Sequence, residues 1–190
     1  MSITVHVGQL IQRAQQGERL RYVFFWGHQA KKNGETGKAC FSQWYEAPFT
    51  LNDVVYPTAE HYMMAEKARL FDDHATLAKI LAAGTPALAK KLGREIQGFD
   101  EKRWQARRFD AVVEGNLAKF SQNAALSDYL LTTGDRVLVE ASPVDPVWGI
   151  GMAEDHPQAE DPQAWLGLNL LGFALMDVRQ QLKQSGSHGS

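Results

Sequence analysis

The chain has 190 residues, 44% of them hydrophobic, with a formal net charge of −2 and a single cysteine. That is enough apolar material for one well-buried core, and no shift in composition marks a second domain. The charge excludes a broad basic coat of the kind that holds nucleic acid by general electrostatics, and the lone Cys40 excludes an intrachain disulfide.

The N-terminal stretch has no long apolar run behind a basic start, so neither a signal peptide nor a membrane span is expected. With one thiol, this predicts a cytoplasmic protein. Val7, Leu10, Ile11 and Ala14 fall at helical spacing, which predicts a short helix over 7–16 closed by Gly17. The aromatic stretch Arg21 to His28 reads as a strand, and Lys31 to Lys38 as a loop. Asn52-Asp53 between short apolar runs predicts a small hairpin. Helices then dominate: one opening after Pro57 and running to Phe71, then His74 to Ala83, Pro86 to Leu92, Asp100 to about Gln122, and Leu126 to Thr132. Arg136 to Ala141 is the best strand of the second half. Ser142 to Pro162 reads as loop and Gln163 to Lys183 as the final helix. One domain over 1–184 and a flexible tail over 185–190 are expected.

In YPTAEHYMMAEKARLF, Glu60 and Lys67 lie seven residues apart, so a helix places them within roughly 20° of each other and about 10.5 Å apart along its axis. Leu70 and Met63 flank them on one side, Met64 and Phe71 on the other, with His61, Tyr62, Glu66, Arg69 and Asp72 on the remaining arc. Charge in the middle of an apolar stripe is costly unless it is paired, so the stripe is expected to line a wet pocket. Glu60 also suits a first helical turn without any chemistry. Lys67 has no such excuse: it either snorkels to solvent or is held as a neutral, nucleophilic amine.

On the long helix, Phe109, Val113, Leu117 and Phe120 read as the core stripe. Trp104, Arg108, Ala111, Gly115 and Lys119 form a second face that fits either phosphate holding and base stacking or a Trp at the edge of the core. In PVDPVWGIGM, Asp145, Trp148, Gly149 and Gly151 fit a binding loop or a packed turn. The six histidines form no HExxH, no i,i+4 pair and no Cys/His cluster, and neither GxSxG nor a phosphate-cradling P-loop occurs. No metal and no cofactor are expected.

Seven stretches, VFFWG, FSQWYEAPF, YPTAEHYMMAEKARLF, ALAKKLGR, Trp104-x3-Arg108-x10-Lys119-Phe120, LVEASPVDPVWGIGM and WLGLNLLGFALMDVR, together resemble the NADAR (YbiA-like) family. Their order and spacing carry the resemblance from about Tyr22 to Leu182. It implies an α+β, predominantly α-helical single domain with a small β element. It also implies an N-glycosidase of the kind associated with removing ADP-ribose from guanine bases, or with cleaving phosphoribosylated pyrimidine intermediates of riboflavin synthesis. Carried over by position, the site residues are Glu60, Lys67, Trp104, Asp145, Trp148 and Asn169. One departure is Ser42-Gln43-Trp44, where many relatives have Ser-Asn before the aromatic; the longer side chain bears on the choice of substrate.

Under this reading Glu60 transfers the proton and Asp145 orients the sugar or stabilises the cation that develops on it. Lys67 attacks the anomeric carbon or holds a hydroxyl or phosphate. Trp148 or Trp104 stacks on the base, and Arg108, Lys119 and the amides of Gly149 and Gly151 receive phosphate. The expected partner is an ADP-ribose-bearing or phosphoribosylated nucleobase, a single-stranded base being easier to admit than a stacked one. Two rivals remain: an ADP-ribose or NAD binding module without catalysis, which needs no paired carboxylate and amine, and a structural protein in which the Glu60/Lys67 stripe is accidental.

Overall fold

A computed structural model of the protein describes residues 4–187. In chain order its elements are α1 (Thr4–Gln15), β1 (Tyr22–Phe25), β2 (Phe49–Leu51), β3 (Val54–Tyr56), α2 (Ala59–Leu70), α3 (His74–Leu81), α4 (Pro86–Gly93), α5 (Glu101–Ser121), α6 (Ala124–Thr132), β4 (Val137–Glu140) and α7 (Leu170–Gly186), with 3-10 turns at Lys38–Phe41 and Pro162–Ala164. This is the expected helical α+β class. Two compact units divide the chain: one spans His28–Asp128, and the other joins the stretch ending at Gly27 to the stretch beginning at Tyr129.

In the His28–Asp128 unit, β2 and β3 pair antiparallel from Phe49↔Tyr56 to Leu51↔Val54. Asn52 and Asp53 have φ of 50° and 64°, the double left-handed geometry of a primed two-residue turn. The hairpin delivers the chain into α2, where the Thr58 hydroxyl accepts from the His61 amide. Helix α2 is then packed by α3, α4 and α5. Each neighbour is punctuated by a side chain acting on a free helical amide: Asp73 for α3, Thr85 with Pro86 behind it for α4, and Asp100 for α5.

The packing overturns the expected faces of two helices. Every residue of α2 from Ala59 to Ala65 is buried, including His61 and Tyr62, which the helical wheel put on the outer arc. Phe71 is the C-cap and Asp72, at φ 53°, lies beyond the helix. On α5 the expected core stripe keeps only Phe120 fully buried, and the second face is buried instead. Trp104, Arg108, Ala111, Gly115 and Lys119 are buried, while Phe109, Val113 and Leu117 are only half-buried. The close approach foreseen at Gly115 is made by Tyr62 of α2.

In the other unit, β1 and β4 pair in parallel from Tyr22↔Val137 to Phe25↔Glu140. Leu10, Val137, Val139, Ile150, Met152 and Ala159 form a core cluster under Tyr22, Phe24, Trp165 and Phe173. The predicted final helix over 163–183 begins only at Leu170. The amides of Leu166, Leu168 and Asn169 donate instead to the carbonyls of Ile150, Pro146 and Gly149, and Asn169 is left-handed at φ 53°. The helix runs on to Gly186, so Ser185 and Gly186 of the expected tail are helical; residues 188–190 lie outside the described residues.

A methyl group on Gly115 would lie 2.7 Å from Cδ1 of Tyr62, whose ring is fixed by its hydroxyl bond to Glu114 and by Phe49 and Tyr56. Alanine favours a helix by about 1 kcal/mol over glycine, whereas overpacking a fixed ring costs about 1–3 kcal/mol. Gly115→Ala is therefore expected to lower stability by about 1 kcal/mol in urea denaturation, and a more stable variant would show that the ring yields freely.

Candidate active site

Lys67 lies in the last turn of α2 and is half-buried. Its Nζ donates to the Gly93 carbonyl at 2.8 Å and sits 4.8 Å from the Phe99 ring centroid and 5.9 Å from that of Trp104. A side chain at 93 would meet the Met64 side chain, which would have to shift to make room. Burial pulls the Lys67 pKa below the ordinary lysine value, the charges of Glu101 and Glu60 oppose that, and Arg94 adds to it. The amine is thus held in a slot of aromatic faces with one polar anchor.

Glu60, a heptad earlier, is 4% exposed. Its amide donates to the Gln43 carbonyl at 3.0 Å, and its carboxylate is near enough to Lys67 to act on the ammonium electrostatically. Trp104 and Arg108 of α5 are both buried. The structure thus brings Glu60, Lys67 and Trp104 together inside the His28–Asp128 unit.

Lys119 has a different surrounding. It is fully buried, and its Nζ donates to the carbonyls of Cys40 and Ser42 at 2.6 and 2.9 Å. Burial brings its pKa down to about 8, and even a neutral amine keeps the two N–H donors these carbonyls need. Lys119 therefore ties α5 to the 3-10 turn at Lys38–Phe41, and its donors are not directed at a phosphate.

Within the other unit, Oδ1 of Asp145 accepts the amides of Val147 and Trp148, both at 2.9 Å, which folds the loop into a tight turn with Trp148 half-buried. Gly149 is buried with Glu140, Asp145 and Ser142 against its Cα, and Gly151 is left-handed at φ 73°. Asn169 is wholly buried: Oδ1 accepts from the Glu140 amide and Nδ2 donates to the Leu138 carbonyl, both at 3.0 Å. Its side chain thus completes the outer edge of β4 as a further strand would.

The sequence model of the NADAR domain matches residues 24–183. The chain belongs to the NADAR domain family. It is 43% identical over 169 residues to the N-glycosidase R617 of Acanthamoeba polyphaga mimivirus, a match covering 86% of this chain and 98% of that one. The N-glycosidase YbiA of Escherichia coli (strain K12) is 32% identical over 142 residues, 75% of this chain and 80% of the relative. The riboflavin biosynthesis protein VVA0006 of Vibrio vulnificus (strain YJ016) is 34% identical over 143 residues, 75% of this chain but 35% of that longer protein. The NMR structure of E. coli YbiA superposes with a TM-score of 0.72 at 27% identity, covering 91% of each chain. Kinship with named N-glycosidases places this NADAR protein among the hydrolases that act on N-glycosyl compounds.

Two neighbours of Lys67 in this NADAR chain carried little signal in the sequence. Gly93 reads as a helix stop, and Phe99, ahead of the Asp100 cap, as an ordinary apolar residue before a helix. Among the described residues no helix is long and apolar enough to cross a membrane, and no group of three or more His, Cys, Asp and Glu is placed to hold a metal.

Asn169→Gly keeps the left-handed backbone and deletes both side-chain bonds to β4. Leaving the Leu138 carbonyl and Glu140 amide short of partners is expected to cost about 2–4 kcal/mol in chemical denaturation, whatever the substrate. A loss below about 0.5 kcal/mol would show that the edge of β4 does not depend on this residue.

Proposed function

We propose that this NADAR protein hydrolyses the bond between a ribose anomeric carbon and a nucleobase nitrogen, releasing ADP-ribose from a modified guanine or ribose phosphate from a phosphoribosylamino-pyrimidine. The observation that carries the proposal is the amine of Lys67, anchored on Gly93 between Phe99 and Trp104 and depressed in pKa by burial, on the same helix as buried Glu60. An amine with one hydrogen-bonded anchor and a lowered pKa suits a nucleophile.

In this reading protonated Glu60 gives its proton to the base nitrogen as the C1–N bond breaks, and the lone pair of Lys67 forms a C1–Nζ bond. The ring C1–O4′ bond then opens to an imine, with a proton passing from nitrogen to O4′. Water adds to C1 to give a carbinolamine and its spare proton returns to Glu60; the C1–Nζ bond then breaks, which frees the neutral amine, and the sugar aldehyde closes again on O4′. Trp104 offers an aromatic face for the base and Arg108 a cation for phosphate. In the other unit, Asp145, turned by its own backbone bonds, and Trp148 in the same turn are proposed as further substrate-contacting residues, a carboxylate and an aromatic face. The buried, reduced Cys40 fits a cytoplasmic setting.

Both substrates are incubated side by side with the protein and borohydride. Reduced adduct at Lys67, loss of turnover by at least about a hundredfold in Lys67→Ala and a comparable loss in Glu60→Gln are expected. Release of neither product would instead favour an ADP-ribose binding module, and turnover without an adduct at Lys67 would remove the imine.

The pH profile gives a separate check. A nucleophilic lysine acts neutral, so kcat/KM is expected to climb as pH rises through the Lys67 pKa. Burial places that rise below the ordinary lysine range. A profile flat from pH 7 to about 10 would show that no lysine titrates in the reaction.

A further inference from the structure

One pair of side chains beside Glu60 is left over by the reading above. Gln43 is 8% exposed and Asn116, on α5, is wholly buried. Nδ2 of Asn116 donates to the Val112 carbonyl at 2.8 Å and to Oε1 of Gln43 at 2.7 Å. These bonds fix both amides. Turning Asn116 over would set its oxygen against the Val112 carbonyl, and turning Gln43 over would set one amide nitrogen against the other. The orientation that remains leaves Nε2 of Gln43 and Oδ1 of Asn116 buried without a hydrogen-bond partner. The backbone carbonyl of the same Gln43 accepts the Glu60 amide at 3.0 Å, so the pair stands at the first turn of α2 where Glu60 lies.

A donor and an acceptor joined through one hydrogen bond, both desolvated and both unsatisfied, are an unusual feature of a folded interior. In donor and acceptor type they match a cyclic amide, a ring C=O next to a ring N–H. Guanine has that edge, and so does a pyrimidinone; adenine, with an amino group beside a bare ring nitrogen, presents the reverse order. We infer that Gln43 and Asn116 read the lactam edge of the base, Nε2 donating to its carbonyl and Oδ1 accepting from its ring N–H. The inference rests on the proposed N-glycosidase reading and supplies what guanine and pyrimidinone substrates share. Both atoms are closed over in this structure, and such reading requires that the binding of a base uncovers them. Satisfying them on entry then favours a lactam over any base of opposite pattern, because a site that hydrogen-bonds a polar edge rejects analogues that leave it unpaired.

The probes are guanosine, inosine and adenosine monophosphates, which share ribose and phosphate and differ at the base. Their binding to the full chain is measured by calorimetry. GMP and IMP are expected to bind at least tenfold more tightly than AMP. Gln43→Glu keeps Oε1 for Asn116 but turns the free donor into an acceptor, and is expected to cut GMP affinity at least tenfold and erase the preference over AMP. Gln43→Asn, which keeps the donor on a shorter arm, is expected to retain the preference. Lys67→Ala is expected to bind GMP within about threefold of the parent while losing turnover, which separates this inference from the reaction: failure of one leaves the other standing. Thermal melting of each variant shows that it is folded. Equal affinity of the parent for GMP and AMP, no binding of GMP, or unchanged GMP affinity in a folded Gln43→Glu each overturns the assignment and makes the two atoms partners of a buried water only.

Discussion

Enclosure of α2 is the constraint on which the rest of the His28–Asp128 unit depends. A helix with no solvent face along Ala59–Ala65 cannot leave a polar group unattended, and its neighbours are arranged accordingly. The His61 ring meets the Thr58 hydroxyl at 2.7 Å and the Ala83 carbonyl at 2.8 Å. The Tyr62 hydroxyl donates to Glu114. Further along, Glu66 takes Arg69 at 2.6 Å and Arg107 at 2.9 Å, and Arg69 reaches the Tyr56 hydroxyl. Apart from the Thr58 cap and the Glu66–Arg69 pair within α2, these bonds run from the helix to Ala83, to Arg107 and Glu114 of α5 and to Tyr56 of β3, so the helix is located on several sides and its last turn sets where Lys67 stands.

Two lysines of this unit are desolvated, and their surroundings separate them by role. Lys119 has a carbonyl for each of two donors and no exposure, an arrangement that holds chain to chain and admits nothing else. Lys67 has a single carbonyl, two aromatic faces and partial exposure. Depressed basicity alone would not distinguish them, since both are lowered by burial. The difference lies in how many donors are already committed.

Local chemistry was legible in the sequence where a signal is short in range. The Asn52-Asp53 turn, the Asp100 cap, Pro86 at the head of α4 and the parting of Glu60 from Lys67 by seven residues all follow from neighbours along the chain. What periodicity missed was decided at a distance. On α5 it counted apolar residues, yet the buried side of the helix carries Ala111, Gly115 and Asn116 with Trp104, Arg108 and Lys119: Gly115 meets Tyr62 of α2, while Asn116 and Lys119 hold Gln43, Cys40 and Ser42, because close packing needs small side chains and buried polar groups need partners. Ala164, Trp165 and Leu166 look like the start of a helix until the loop at Pro146–Ile150 claims the amides that follow. The same loop resolves Asn169. Its side chain serves as sheet edge, a task that no local pattern announces.

Pairing β1 with β4 carries a temporal implication. The unit containing that sheet is made from both ends of the chain, with His28–Asp128 intervening. On a ribosome β1 emerges early and has no partner strand until β4 follows, whereas the contacts of the intervening unit lie within one continuous stretch. Until β4 is made, Tyr22, Phe24 and the edge of β1 lack the strand that pairs with them in the folded unit, which leaves a short aromatic edge open during translation.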